Sequence, residues 1–145
     1  VRAIEAMLGE NAGGLARAWR ERLEREPAVL GALSGPMDDG LLLALVEEFV
    51  RAMCRKDPSE MGPLLPERTS AVSVFVDPRD DAALWLEILS AGRSVLESFL
   101  IDSVVPAFRL EPDACEALLD ELERAFHMVA HRRLQVLCEC CLTPR

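Results

Sequence analysis

The chain has 145 residues and a mass of 16.0 kDa, a size that fits one domain. Half of the residues are hydrophobic and 28% are charged, which excludes disorder, and no apolar run reaches the roughly 20 residues that cross a bilayer. The net charge of −9 argues against non-specific nucleic-acid binding, which depends on Lys and Arg, and the aromatic content of 5% argues against a base-stacking platform.

The first predicted helix runs from Ile4 to Arg25, because apolar residues recur there at steps of three and four. Gly13-Gly14 is expected to kink or divide it, since a glycine inside a helix costs up to about 1 kcal/mol relative to alanine. Glu26-Pro27 ends it, because the residue before a proline is disfavoured in helical geometry. A second helix is predicted from Gly40 to Lys56, with Glu47-Glu48 as part of its solvated face.

The middle of the chain is less regular. Pro63 and Pro66 delimit a loop and open a short third segment. Ser70 to Val76 alternates like a strand, but no other stretch could pair with it, so a helix is favoured. Asp77-Pro78 then begins the next helix, with the aspartate as N-cap and the proline as first helical residue, and Pro106 should kink or end that helix.

Glu111-Pro112-Asp113 begins a last helix that continues to about Leu142, far beyond the mean helix length of roughly 11–12 residues. The prediction is therefore an all-α fold of five or six helices in a single domain, 1–145. The aromatic residues on the helical stripes should share the core: Trp19, Phe49, Trp85, Phe99 and Phe126.

Apolar residues continue into the C-terminal half of the last helix, where a monomer would leave them exposed to water. Pairing of two copies is the commonest way to cover such a strip. We therefore expect a homodimer whose interface contains Val129, Val136, Leu137 and Cys140.

Four residues of the last helix are candidate metal ligands: His127, His131, Cys138 and Cys141. The two histidines lie one turn apart, but Cys138 is about two turns beyond His131, too far for one ion, and closed zinc sites need four convergent ligands. The CxxC spacing of Cys138 and Cys141 closes a helix, where the helix dipole disfavours a thiolate. We therefore predict no metal and no cofactor, and haem is disfavoured because both histidines come late in the final helix.

No phosphate-binding loop, dinucleotide-binding glycine motif or nucleophile elbow occurs, so we expect no enzyme and assign no catalytic residue. Asp102 is the single acid in an otherwise apolar run and is interpreted as an exposed helix residue, with a ligand cavity as the alternative. The odd number of cysteines, five, is not that of a secreted disulfide framework, and no signal-peptide pattern opens the sequence. We expect a cytoplasmic location.

Three segments carry a resemblance to a known family. Leu15 to Leu33 combines a Trp with alternating Arg and Leu before a proline turn, Asp80 to Leu100 is leucine-rich with a basic Arg93, and Ala114 to Leu137 is a long terminal helix. Together they resemble the N-terminal sensor domain of the RsbT co-antagonist family, the stressosome regulators. The resemblance implies a globin-like helical bundle without haem, a homodimer, and a non-enzymatic role in stress-response signalling with a regulatory protein partner. It fits either an excised domain or a free-standing family member.

Two other functions stay open. One is a metal- or thiol-dependent redox sensor that uses His127, His131 and the terminal cysteines. The other is an adaptor that binds a protein partner through its acidic surface. Elemental analysis of anaerobically purified protein tests the first of these, and a pull-down tests the second.

Overall fold

In a computed structural model, the chain is described over residues 2–27, 39–54 and 81–142, with side chains described up to residue 133 of the last helix. All regular secondary structure in these ranges is helical, which confirms the predicted all-α class for this part of the chain. The elements are α1 (Arg2–Glu10), α2 (Ala12–Leu23), α3 (Asp39–Cys54), α4 (Asp81–Phe99), a π-helical turn (Leu100–Val104), α5 (Val105–Phe108) and α6 (Pro112–Leu142).

The first predicted helix is divided, but at Asn11 and not at Gly13-Gly14. The Asn11 side-chain amide donates a hydrogen bond of 2.8 Å to the Met7 carbonyl, and its own backbone N–H reaches the same carbonyl at 3.2 Å. Asparagine weakens helices because its side chain competes for backbone partners in this way. Both glycines lie inside α2, which ends at Leu23, shortly before Pro27.

The predicted second and last helices are confirmed as α3 and α6 within about two residues at the ends that the structure describes. Other predictions fall outside the described residues: the apolar piece near Leu33, the segment opened by Pro66, the ambiguous stretch Ser70–Val76 and the Asp77-Pro78 helix start.

Pro106 disturbs the end of α4 as predicted. A proline removes one helical N–H and crowds the carbonyl four residues earlier, and here the preceding turn widens so that the Val105 N–H bonds to the Leu100 carbonyl, five residues back. The helix then stops at Phe108, where Arg109 takes a left-handed conformation with φ 50°. The N–H groups of Arg109 and Leu110 donate to the carbonyls of Pro106 and Val105 at 3.3 and 3.1 Å.

The four longest helices pack in a ring, because α2 and α6 each contact both α3 and α4. Trp19 lies at the centre, with its ring at 5.9 Å and nearly perpendicular to that of Phe49. Its indole N–H donates a hydrogen bond of 2.8 Å to the Ile88 carbonyl of α4. Of the five aromatic residues predicted in the core, Trp19, Phe49 and Trp85 are buried, while Phe99 and Phe126 are half-buried against it.

α6 contributes Leu122, Ala125, Val129 and Ala130 to this core. Val129 is 0% exposed in the single chain, so the expectation that it forms part of a dimer interface is wrong. The physical reason is helical phase: Val129 lies seven residues after Leu122, on the same inward face of α6. The side chains of Val136, Leu137 and Cys140 lie outside the described residues.

Candidate functional site

The proposed metal ligands are not brought together in the part of the chain with described side chains. The His127 side chain is 70% exposed and its Nε2 lies 3.3 Å from Glu123 Oε1, while His131 is exposed one turn later. Among these residues, no group of three or more His, Cys, Asp or Glu is arranged to hold a metal ion. The side chains of Cys138 and Cys141 lie beyond the described range.

A buried ion cluster joins α3 to α6. Glu48 is 6% exposed and Arg133 is 7% exposed, and Arg133 Nη2 donates a hydrogen bond of 2.6 Å to Glu48 Oε2. Arg132 Nη1 lies 3.7 Å from the other carboxylate oxygen, and the Arg133 guanidinium stands 5.8 Å from the centre of the Trp85 ring. The interpretation of Glu48 as a solvated residue is therefore wrong.

Two further arginines hold α6 against its neighbours. Arg93 of α4 forms an ion pair with Glu123, and its guanidinium lies 5.2 Å from the centre of the Phe126 ring. Arg124 Nη2 donates to the Ala52 carbonyl at 2.7 Å and the Met53 carbonyl at 3.2 Å, in the last turn of α3. The Arg124 contacts provide donors for carbonyls that the end of α3 leaves without helical partners, and they attach α6 to α3. The Arg93 contacts attach α6 to α4.

An open groove of about 510 Å³ lies between α2 and α4. We call it the α2–α4 groove, and the lining residues used below are Gly14, Leu15, Arg22, Arg25, Val95, Phe99 and Asp102. The volume lies within the roughly 300–1,000 Å³ typical of small-molecule sites.

The α2–α4 groove combines an apolar floor with charged walls. Leu15 is buried, and Val95 and Phe99 are half-buried, so part of each half-buried side chain faces the opening. The charged residues along its edges include Arg22, Arg25 and Asp102, all of them exposed. Asp102 therefore lines a cavity, the alternative considered from the sequence, and it is also an exposed helix residue.

The π-helical turn Leu100–Val104 forms one end of the groove by contributing Asp102 and Ser103. Single π turns are frequent at functional sites, because the extra residue changes the direction of the side chains that follow. Among the described lining residues there is no histidine, cysteine or lysine, and the polar side chains include Arg22, Arg25, Ser98, Asp102 and Ser103.

A second, smaller groove of about 300 Å³ continues along the same pair of helices and shares Arg22 with the first. It lies beside Leu86 and Glu87, at the beginning of α4, whereas the first groove reaches Asp102 at the opposite end. The C-terminal end of α2 therefore lies next to the start of α4, and the two helices run antiparallel.

No helix among the described residues is long and apolar enough to span a membrane. Comparison with known proteins gave no match to a family model, a curated protein or a solved structure.

Proposed function

We propose that this chain is a non-enzymatic regulatory domain of the type found at the N-terminus of RsbT co-antagonist proteins. In this proposal it forms a homodimer through α6 and transmits a signal to a regulatory protein partner by repacking its helices. A globin-like order of helices and a cytoplasmic location belong to the same proposal.

The observation that carries the proposal is the length of α6. α6 has 31 residues, about 46 Å at 1.5 Å per residue, and its helical backbone continues for nine residues beyond Arg133 to Leu142. This continuation is rich in apolar residue types: Leu134, Val136, Leu137, Cys138, Cys140, Cys141 and Leu142. A long helix with an apolar continuation is a common dimerisation element, because a second copy buries what one chain cannot.

The contacts of α6 support a signalling role for that helix. Arg133 and Arg124 tie it to α3, and Glu123 ties it to α4, so a displacement of either helix acts on α6 directly. Shifts of about 1–2 Å between packed helices at subunit interfaces are an established switching mechanism. The candidate site itself favours binding over catalysis, since its described lining offers recognition groups.

Analytical ultracentrifugation at micromolar concentration tests the dimer. We expect the wild type to sediment with twice the chain mass of 16.0 kDa. The double variant Val136→Glu, Leu137→Glu should be monomeric, because two buried charges without partners oppose association. His131→Glu is the matched control, since His131 is exposed on the same helix and should leave the dimer intact.

A wild type that remains monomeric would contradict the proposal. A double variant that dimerises like the wild type would show that the continuation of α6 is not the interface. Circular dichroism of each variant must show unchanged helix content, so that loss of the dimer is not confused with loss of the fold.

A further inference from the structure

We propose that the α2–α4 groove binds a small organic anion with an apolar body, whose negative group is held by Arg22 and Arg25. Its apolar body would lie on Val95 and Phe99, the half-buried side chains of the groove floor. That this ligand is the regulating signal rests on the proposed function above, whereas binding in the groove can be tested separately.

The charge pattern of the chain supports an anion at this place. The chain has 25 acidic and 16 basic residues, and ion pairs with acidic residues are formed by Arg20, Arg93, Arg124, Arg132 and Arg133. Arg22 and Arg25 form no ion pair with any residue in the described ranges, and both line the same groove. Two guanidinium groups that line one groove provide several hydrogen-bond donors for a carboxylate, sulfonate or phosphate.

The ends of the groove differ in charge, which orients the ligand. Asn11 and Gly14 of α2 line the groove together with Asp102, whereas Arg22 lies eleven residues after Asn11, about 16 Å along the helix. Asp102 repels a negative group from the end formed by the π turn. Arg22 and Arg25, which line the groove toward the C-terminal end of α2, attract it at the other end. Glu21 also lines this wall, but it forms no ion pair with either arginine.

Gly14 is the position in the wall of the groove at which an added side chain would enter the groove. A Cβ atom at Gly14 would meet nothing within 4 Å, so a larger side chain can be placed there without displacing the core. Gly13 has equally open surroundings but does not line the groove, which makes it a matched control.

Fluorescence titration with 1-anilino-8-naphthalenesulfonate tests the site, and N-phenyl-1-naphthylamine serves as the neutral probe with the same aromatic body. We expect one sulfonate probe per chain, bound about tenfold more tightly than the neutral probe, a difference of about 1.4 kcal/mol, because hydrogen bonds between charged groups are stronger than neutral ones. The double variant Arg22→Gln, Arg25→Gln should remove this difference and leave the neutral probe unaffected. Arg17→Gln, an exposed residue of α2 outside the groove, should change neither titration.

Two further variants distinguish the groove from other surfaces. Gly14→Leu should abolish binding of both probes because the added side chain fills the groove, whereas Gly13→Leu should not. Asp102→Asn should keep or increase the affinity for the sulfonate probe, because it removes a repulsive charge. Unfolding curves recorded for every variant show that each remains folded, since the sulfonate probe also binds loosened cores.

The proposal is overturned if the wild type binds neither probe, if both probes bind with equal affinity, or if Gly14→Leu leaves binding unchanged. The titrations do not depend on the oligomeric state and are repeated with the Val136→Glu, Leu137→Glu variant. Binding by a wild type that is monomeric would retain the site and refute the proposed function. A dimer without binding would retain the proposed function and refute the site.

Discussion

Among the described glycines, Gly92 should be the one whose replacement destabilises the fold most. A Cβ atom at Gly92 would lie 2.6 Å from both Cε2 and Cη2 of Trp19, where ordinary contact begins near 3.4 Å. The Trp19 ring must therefore move, yet it is buried against Phe49 and tied to the Ile88 carbonyl by a hydrogen bond of 2.8 Å. Overpacking and the strained hydrogen bond each lower the free energy of unfolding by about 1–3 kcal/mol, whereas the higher helix propensity of alanine raises it by about 1 kcal/mol.

We therefore expect Gly92→Ala to lower the free energy of unfolding by about 1–5 kcal/mol. Gly13→Ala is the matched control and should raise it by about 0.5–1 kcal/mol, because nothing lies near the added methyl group. Guanidinium unfolding followed by circular dichroism measures both. If Gly92→Ala stabilised the protein as Gly13→Ala does, the packing of α2 on α4 would be different from that described, and the α2–α4 groove would lose its geometric basis.

Two further predictions concern stability alone. Glu48→Met should lower the free energy of unfolding by about 3–5 kcal/mol, because it leaves Arg133 buried without its charge partner. The double variant Glu48→Met, Arg133→Met should have a free energy of unfolding within about 2 kcal/mol of the wild type. Equal losses for the two variants in a urea titration would contradict a buried ion pair. Arg109→Gly should stabilise the protein by about 0.5–1 kcal/mol, because glycine adopts the left-handed conformation at the end of α5 without the strain of a side chain. Arg109→Ala should not stabilise it. Equal melting temperatures of the two variants in calorimetry would refute this prediction.

The helices that the sequence predicts well are those with clear start signals and one continuous stripe of apolar residues. α6 begins at Pro112, and α3 begins at Asp39 next to the predicted start Gly40, because proline and aspartate favour the first turn of a helix. The position of the break between α1 and α2 was predicted wrongly. Glycine weakens a helix only locally, and the buried residues that follow it, Leu15 and Ala16, anchor α2 in the core, whereas Asn11 offers the backbone an alternative partner.

The burial of Glu48 was missed because a charge was assumed to mark a solvated position. Its helical phase contained the correct signal: Glu48 lies three residues after Leu45 and four before Ala52, and both of these are fully buried. Arg133 has the same relation to Val129, four residues earlier on α6. A buried acid on one helix and a buried base on another can be recognised from periodicity, but their pairing depends on how the helices pack.

The α2–α4 groove could not be predicted from the sequence, since it is formed by two helices whose relative position is a tertiary property. The sequence indicated only that Asp102 is an unusual acid in an apolar run. Neither Arg22 nor Arg25 differs in local pattern from Arg20, which pairs with Glu24 one turn later at 3.7 Å. Which arginines remain without a carboxylate becomes clear only when the antiparallel packing of α2 on α4 is known.

α4 is the element that connects the two proposals physically. Val95 and Phe99 of α4 line the groove, while Arg93, two residues before Val95, pairs with Glu123 and lies against Phe126 of α6. A ligand in the groove changes the packing of α6 only if it binds two arrangements of α4 with different affinity. That difference is reciprocal: the factor by which the ligand changes the dimer dissociation constant equals the factor by which dimerisation changes the affinity for the ligand. Because residues two apart on a helix point in different directions, one helix can hold a ligand on one side and position α6 on the other.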